Sequence, residues 1–311
     1  MNNIDAVIIG AGACGLMCAV QAGYLGKRTL VLEKNEKAGA KVLISGGGRC
    51  NYTNLYVTPS NFLSENEHFS KSALSRWTVE DTINFFETYG ISGEEKTLGQ
   101  LFPVSNNARD IVNVFENLCE EMDQQIVCGA EVTFVEDVAE GGFRVVYEKN
   151  GKEIEVVAPK VVIASGGLPI QKMGATDFGL RIARQFGLRL TQPAPALVPL
   201  TITGKDADWY AQLSGNSVFC RVSNDRISFE ENILFTHWGL SGPAILQISS
   251  YWKPGETINI DLLPRENISV LIQKERQQNG RKLFLNVLSE LFTRKFAEAL
   301  GEFLPVEKNL A

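Results

Sequence analysis

Six residues, Gly10-Ala11-Gly12-Ala13-Cys14-Gly15, constrain this chain more than any other feature. They fit G-x-G-x-x-G, a string that means little alone and much in the right setting. Upstream, residues 4–9 form an apolar run rich in β-branched side chains, suited to a strand buried on both faces of a parallel sheet. Downstream, residues 13–26 carry small and apolar side chains suited to a helix packed on that sheet, and residues 29–33 supply a second strand. The unit reads β-α-β. In it Gly10 permits the tight turn, Gly12 lets backbone approach a pyrophosphate, and Gly15 allows close packing of helix on strand. The helix N-terminus offers unpaired N–H groups and about half a positive charge to the phosphates. Glu33, ending the second strand, is spaced for a carboxylate that takes a ribose hydroxyl. A glycine turn with no ligand would leave Glu33 without a purpose, so dinucleotide binding is the expectation.

The chain is long enough for two domains. Its 311 residues are 44% apolar and 21% charged, which describes a globular protein that needs no disulfide or metal to fold. The 36 acidic residues outnumber the 30 basic ones, and a net charge of -6 has the wrong sign for a phosphate backbone. The expected partner is therefore a small-molecule substrate, with no nucleic acid. Residues 6–26 lack charge and are long enough to cross a bilayer, but their five glycines and Gln21 make them too polar to do so. Cysteines 14, 18, 50, 119, 128 and 220 contain no C-x-x-C pair and there are only two histidines. That pattern excludes the usual zinc and redox spacings, and it points to a reducing, cytoplasmic setting with no metal.

Further along, helical periodicity predicts helices over 78–89 and 106–122. Four apolar runs follow at 126–135, 143–147, 154–157 and 161–164, the middle two joined through Asn150-Gly151, a strong hairpin signal. They predict a meander that returns to the main sheet. Pro193, Pro195 and Pro199 mark a connection between domains 1–190 and 191–311. Short apolar runs over 200–263 predict a compact antiparallel sheet or barrel. From Leu283 to Phe303 an apolar stripe repeats at three- and four-residue spacing, which predicts one helix packed on the core.

A second glycine-rich string separates FAD from NAD. Lys41 opens a segment in which Ser45, Gly46, Gly47, Gly48, Arg49, Cys50 and Asn51 follow the ribose carboxylate. Such a loop can bring several backbone N–H groups against an anion or a flavin ring, with Arg49 as a cation for the pyrophosphate. Cys50 is a candidate redox thiol or flavin neighbour, against the commoner case of an inert packed cysteine. Cys14 and Cys18, four apart on one helix, read as packing residues. His237 is a candidate acid or base near substrate, against the alternative that it orders a turn. Gly239-Leu240-Ser241-Gly242-Pro243 misses the hydrolase elbow because its last position is proline.

The first glycine motif, the string from Ser45 to Asn51, Ala164-Ser165-Gly166-Gly167, Pro195-Ala196-Leu197-Val198-Pro199-Leu200 and Phe235-Thr236-His237-Trp238-Gly239-Leu240-Ser241-Gly242-Pro243-Ala244 occur in this order along the chain. With them the sequence resembles the bacterial family of NAD(P)/FAD-dependent oxidoreductases that includes the aminoacetone oxidases and a bile-acid 3-dehydro reductase. The resemblance implies an α/β fold: a glutathione-reductase-like Rossmann FAD-binding domain with an inserted antiparallel β-barrel plus helical portion. It implies a cofactor site built from Gly10, Gly12, Ala13, Cys14, Gly15, Glu33, Lys34 and Lys41, with Glu33 on the adenosine ribose. The loop Ser45–Asn51, backbone near Val132 at the adenine, and Ala164, Ser165, Gly166 and Gly167 closing on the cofactor complete it. The implied activity is oxidation or reduction of a small organic substrate by FAD, with NADH, NADPH or oxygen as second redox partner. Ala40 stands where the family usually has arginine, and residues 173–179 and Leu188 stand where it has a longer Gly/Asp-rich stretch with a histidine. The family's final glycine-rich strand and helix have no counterpart after Pro243, so domain 191–311 is expected to be incomplete. Two alternatives follow: a non-catalytic fragment unable to retain FAD, and a Rossmann protein that uses NAD without flavin.

Overall fold

The two N-terminal strands form as Ala6–Ile9 and Thr29–Glu33 and pair in parallel, Val7 beside Leu30 and Ile8 beside Val31. Strand side chains alternate between faces, so aliphatic residues at every position require both faces to be covered. They are, by different means. On one face Ile8 and Val31 pack with Leu16, Ala19 and Val20 of the helix Ala13–Tyr24 and with Ile111, Phe115 and Leu118 of the helix Ala108–Glu121. On the other, Val7, Ile9, Leu30 and Leu32 pack with Val135, Val145 and Tyr147 of an antiparallel meander and with Phe178. The computed structural model describes residues 4–279 and 284–303, and the chain divides into two units, Met1–Thr191 and Gln192–Ala311.

In the first unit the sheet is all parallel, in the order Val161–Ile163, Ala6–Ile9, Thr29–Glu33, Gln125–Cys128. The run over 126–135, read as one strand, is two. Gly129, at φ +66°, breaks it; its N–H donates to the Asn35 carbonyl and the Ala130 N–H to that of Glu33. The chain thereby leaves the parallel sheet and begins the meander Glu131–Asp137, Phe143–Lys149, Lys152–Ala158. Asn150 (φ +52°) and Gly151 (φ +70°) make its second turn, the mirror-image geometry that Asn-Gly favours. The predicted helices form as Val79–Thr88, capped reciprocally by Thr78 and Asp81, and Ala108–Glu121, capped by Asn107. A small antiparallel sheet of Thr53–Asn54, Gln100–Pro103 and Gly93–Glu95 was not expected, because strands of two to four residues are too short to show alternation.

The second unit is built on five antiparallel strands in the order Leu200–Thr201, Gly239–Ser241, Ser228–Thr236, Ser217–Ser223, Asn259–Asp261. This corrects the barrel: among the described residues the two outer strands do not pair, so the sheet is open. Its buried face, Val218, Cys220, Val222, Ile233 and Phe235, is covered by Ala244, Ile245 and Ile248 of the helix Pro243–Ser249 and by Phe296. The apolar stripe expected on one helix lies on two, Phe284–Leu291 and Arg294–Phe303, while its first residue, Leu283, is outside the described residues. Thr293 makes the break. Its hydroxyl accepts the Phe296 N–H and donates to the Asn216 side chain, which starts a new helix with a new direction. No helix among the described residues is long and apolar enough to cross a membrane.

One buried polar side chain fastens the first unit's sheet. Gln124, 6% exposed, accepts from both the N–H and the hydroxyl of Thr29 and donates to the Lys27 and Met122 carbonyls. Gln124→Ala removes all four bonds and leaves buried groups unpaired, so it should lower stability by about 2–4 kcal/mol. Chemical denaturation followed by circular dichroism measures this; a variant as stable as the parent would show that water satisfies those groups.

Candidate functional site

Three backbones meet where the first strand ends. Gly10 stands at φ +108°, and a Cβ there would lie 2.5 Å from the Ala164 carbonyl oxygen. A Cβ on Gly15 would lie 1.8 Å from the Gly10 oxygen, so the helix rests directly on the strand end. Gly12 differs: it caps the helix with no side-chain bond, and a Cβ on it would meet nothing within 4 Å. Its open side is the space a ligand needs. Ala13 and Cys14 are exposed on the first turn, where backbone N–H groups lack partners within the helix.

Glu33 is buried, with 8% of its surface exposed, and its carboxylate joins three segments. One oxygen accepts the Ala11 N–H at 2.7 Å; the other accepts the Asn35 backbone N–H at 2.9 Å and the Asn35 side-chain amide at 2.7 Å. A carboxylate has about four acceptor positions, so one stays free for a hydroxyl on the cleft side. Asn35 was missed in the sequence, where its only signal is its place two residues after the acid. A Cβ on Gly174 would meet the Asn35 side-chain oxygen at 3.1 Å, which brings the segment after Ile170 against this hub.

These groups open into one cleft of about 940 Å³, open solvent included. Of the predicted residues it brings together Gly10, Gly12, Glu33, Lys34, Lys41, Val132, Ala164, Ser165 and Gly166. Lys41 reaches toward Gly167, its ammonium 3.4 Å from that carbonyl oxygen, while Lys34 is paired with Glu131 at 2.6 Å. The Ser165 hydroxyl is buried in this wall without a hydrogen-bond partner. Sequence reasoning did not place Asn35, Ala130, Met173, Ala175, Thr176, Phe178 and Arg181 on the cleft; they come from the segment after the second strand, the strand break at Gly129, a loop that has no motif and the helix Phe178–Gln185 that follows it. Ala40, noted as a departure from the family pattern, lines it too.

The second glycine loop does not line this cleft. Ser45, Gly46 and Gly47 form a short turn after the helix Ala40–Ile44, and Gly46, Gly47, Gly48 and Cys50 all have φ between +55° and +84°. The loop is held from inside: the Ser45 hydroxyl donates to the Val42 carbonyl, and the Gly48 carbonyl accepts the N–H of Ala108 at the start of the long helix. Arg49 donates to the Gly46 carbonyl and stacks over the Phe102 ring at 5.1 Å, and the Asn51 amide lies against the Thr53 and Leu101 carbonyls. Cys50 is buried in the helix-side core, and burial pushes its thiol up, outweighing a smaller opposite effect of the Ser45 side chain. His237 belongs to the second unit, exposed on the turn between Ser228–Thr236 and Gly239–Ser241.

A cradle at a helix N-terminus, a buried carboxylate with a free acceptor position and an orphaned hydroxyl fit the pyrophosphate, ribose and neighbouring polar groups of a dinucleotide. The two motif glycines should then fail differently. Gly12→Ala keeps a normal melting temperature and loses about tenfold or more in FAD affinity, about 1.4 kcal/mol, because its methyl group enters the phosphate space. Gly15→Ala lowers the melting temperature itself, through overpacking worth about 1–3 kcal/mol. Thermal unfolding and fluorescence titration with FAD on both variants check the pair; equal melting losses would show that Gly12 is structural.

The matched family model, described as the HI0933-like protein Rossmann domain, covers residues 4–286. The chain is 42% identical over 303 residues to a protein of Escherichia coli named ribosomal RNA dihydrouridine synthase, covering 97% of this chain and 74% of that one. It is 41% identical to a protein of the same name from Haemophilus influenzae, covering 94% and 72%. To a 3-dehydro-bile acid delta(4,6)-reductase of Clostridium scindens it is 26% identical, covering 86% and 66%. The first two names correct the expectation of a small-molecule substrate and no nucleic acid, since both relatives are named for ribosomal RNA. Net charge averages the whole chain and is silent on any local surface. The chain belongs to the HI0933-like Rossmann-domain family and is a flavin-dependent oxidoreductase.

Proposed function

We propose that this chain reduces a uracil base in ribosomal RNA to dihydrouracil, using FAD held in the cleft of the first unit. The observation that carries this is the 42% identity over 97% of the chain to a protein of that name, with the glycine turn and Glu33 in working geometry. Bound FAD, once reduced, supplies the hydride; a proton completes the addition across the C5–C6 double bond, and NADH or NADPH is the electron source. The chain's own residues bind and orient. The free N–H groups of Gly12, Ala13 and Cys14 face the pyrophosphate, Lys41 supplies a positive charge beside it, and Glu33 takes a ribose hydroxyl. Backbone near Val132 meets the adenine, and the Ser165 hydroxyl gains the partner it lacks. The Ser45–Asn51 loop, stiffened by its internal bonds, presents its outer N–H groups to the flavin ring. In this reading domain 1–190 is the glutathione-reductase-like FAD domain and 191–311 the substrate domain.

The base must leave the RNA stack to meet a flavin, so the substrate is an unpaired or extruded uridine. All six cysteines are free thiols, which suits the cytoplasm where ribosomal RNA is found. The test incubates the full chain with FAD, unmodified ribosomal RNA transcripts and either NADH or NADPH. Fragments of the RNA should gain the mass of one H2 at a single uridine, with one nucleotide as the better donor. Oxidation of NADH or NADPH with no such gain in any fragment would overturn the RNA reading and leave the flavin site standing.

A further inference from the structure

We infer that the His237-Trp238 hairpin tip is an RNA-stacking element, with Trp238 as the face on which an unpaired base of the RNA lies; this rests on the RNA reading above. Trp238 is 79% exposed, more than any other large hydrophobic side chain among the described residues, and His237 beside it is exposed with no hydrogen bond or ion pair. Turn chemistry does not account for the pair. Two-residue hairpin turns favour Asn and Gly, whose left-handed conformations match the strand twist, whereas here neither turn residue has a positive φ. The left-handed backbone falls instead on the next residue, Gly239, at φ +144°.

The rings are mobile only at their own bonds, because the backbone beneath them is pinned. Thr236 pairs with Gly239 across the turn; its hydroxyl donates to the Gly239 carbonyl and accepts the Trp238 N–H. The Trp238 carbonyl accepts at 2.9 Å the N–H of Ile202, which follows the neighbouring strand Leu200–Thr201. A Cβ on Gly239 would lie 2.3 Å from the Leu200 carbonyl oxygen, so the turn cannot slide over that strand. Two aromatic faces on a rigid mount lose little conformational freedom on binding.

The proposed RNA substrate, which presents an unpaired uridine, identifies the occupant. Base stacking on aromatic faces requires no net charge and accepts any base, because every base has a π-face. The tip contributes nothing to the buried core, which takes Phe235, Leu240 and Ala244 from the flanking residues.

Full-length Trp238→Leu and Trp238→Phe, with the parent, test this against a fluorescein-labelled oligouridylate and an unmodified ribosomal RNA transcript. Leucine keeps apolar bulk without a π-face; phenylalanine keeps the face. Affinity should fall about tenfold in the leucine variant, stay near the parent's in the phenylalanine variant, and keep the same salt slope in both, with unchanged melting temperatures. A leucine variant that binds and reduces RNA as the parent does would overturn the inference while leaving the RNA function intact. Equal losses in both variants would also overturn it, as the loss would not follow the aromatic face. A parent that neither binds nor reduces RNA would remove the proposed function and this inference with it.

Discussion

A helix can aim its N-terminus at a ligand only if its first turn rests against the ends of the strands, and here backbone atoms alone make that contact. The Gly10 oxygen occupies the place where a Cβ of Gly15 would be, and the Ala164 carbonyl occupies that of Gly10. At Gly10 and Gly15 no side chain separates the first turn of the helix Ala13–Tyr24 from the end of the first strand. The rest of the first unit follows from that approach: Leu16, Ala19 and Val20 reach Ile8 and Val31, and the long helix Ala108–Glu121 packs beside them. Gly12, one residue from this crowding, has open space. Three glycines in one motif thus do two different things, and only Gly12 leaves open space beside the helix N-terminus.

Glu33 turns that packing into a binding site. A buried carboxylate is costly unless hydrogen-bonded, and this one is satisfied by the turn it faces and by the loop that follows it. Because Ala11 donates to it, the glycine turn and the end of the second strand are held in one geometry whether or not a ligand is bound. Because Asn35 donates twice, the loop that carries the Gly129 contact is held as well. The same group that is expected to take the ribose therefore also organises the cleft, and substitutions at Glu33 will mix folding effects with binding effects. Gly12 is the cleaner probe.

The legible parts of the sequence were those in which a local rule and the tertiary structure agree. The β-α-β unit and the Asn150-Gly151 hairpin rest on backbone conformations that few residues can supply, and the Thr78 helix start on a side chain that caps it, so residue identity reveals them. What was illegible depended on contacts distant in sequence. Gly129 reads as an ordinary residue in an apolar run until its N–H is seen to meet Asn35, 94 positions earlier. Arg181 and Phe178 reach the cleft from a helix whose periodicity says only that one face is buried. The stripe from 283 to 303 kept its spacing across a change of direction, because three- and four-residue steps continue across a one-turn break and only Thr293, with its capping hydroxyl, marks the corner.

The partner was the part that composition obscured, and the reason is physical. Net charge measures the long-range field, which governs how fast and how indiscriminately a chain meets polyanions. It is silent on an enzyme that must hold one base out of its stack, where the energy comes from short-range contact with faces and edges. On the proposed RNA reading the acidic balance and the exposed indole at Trp238 are compatible, since the first bears on the long-range field and the second offers a short-range face for stacking.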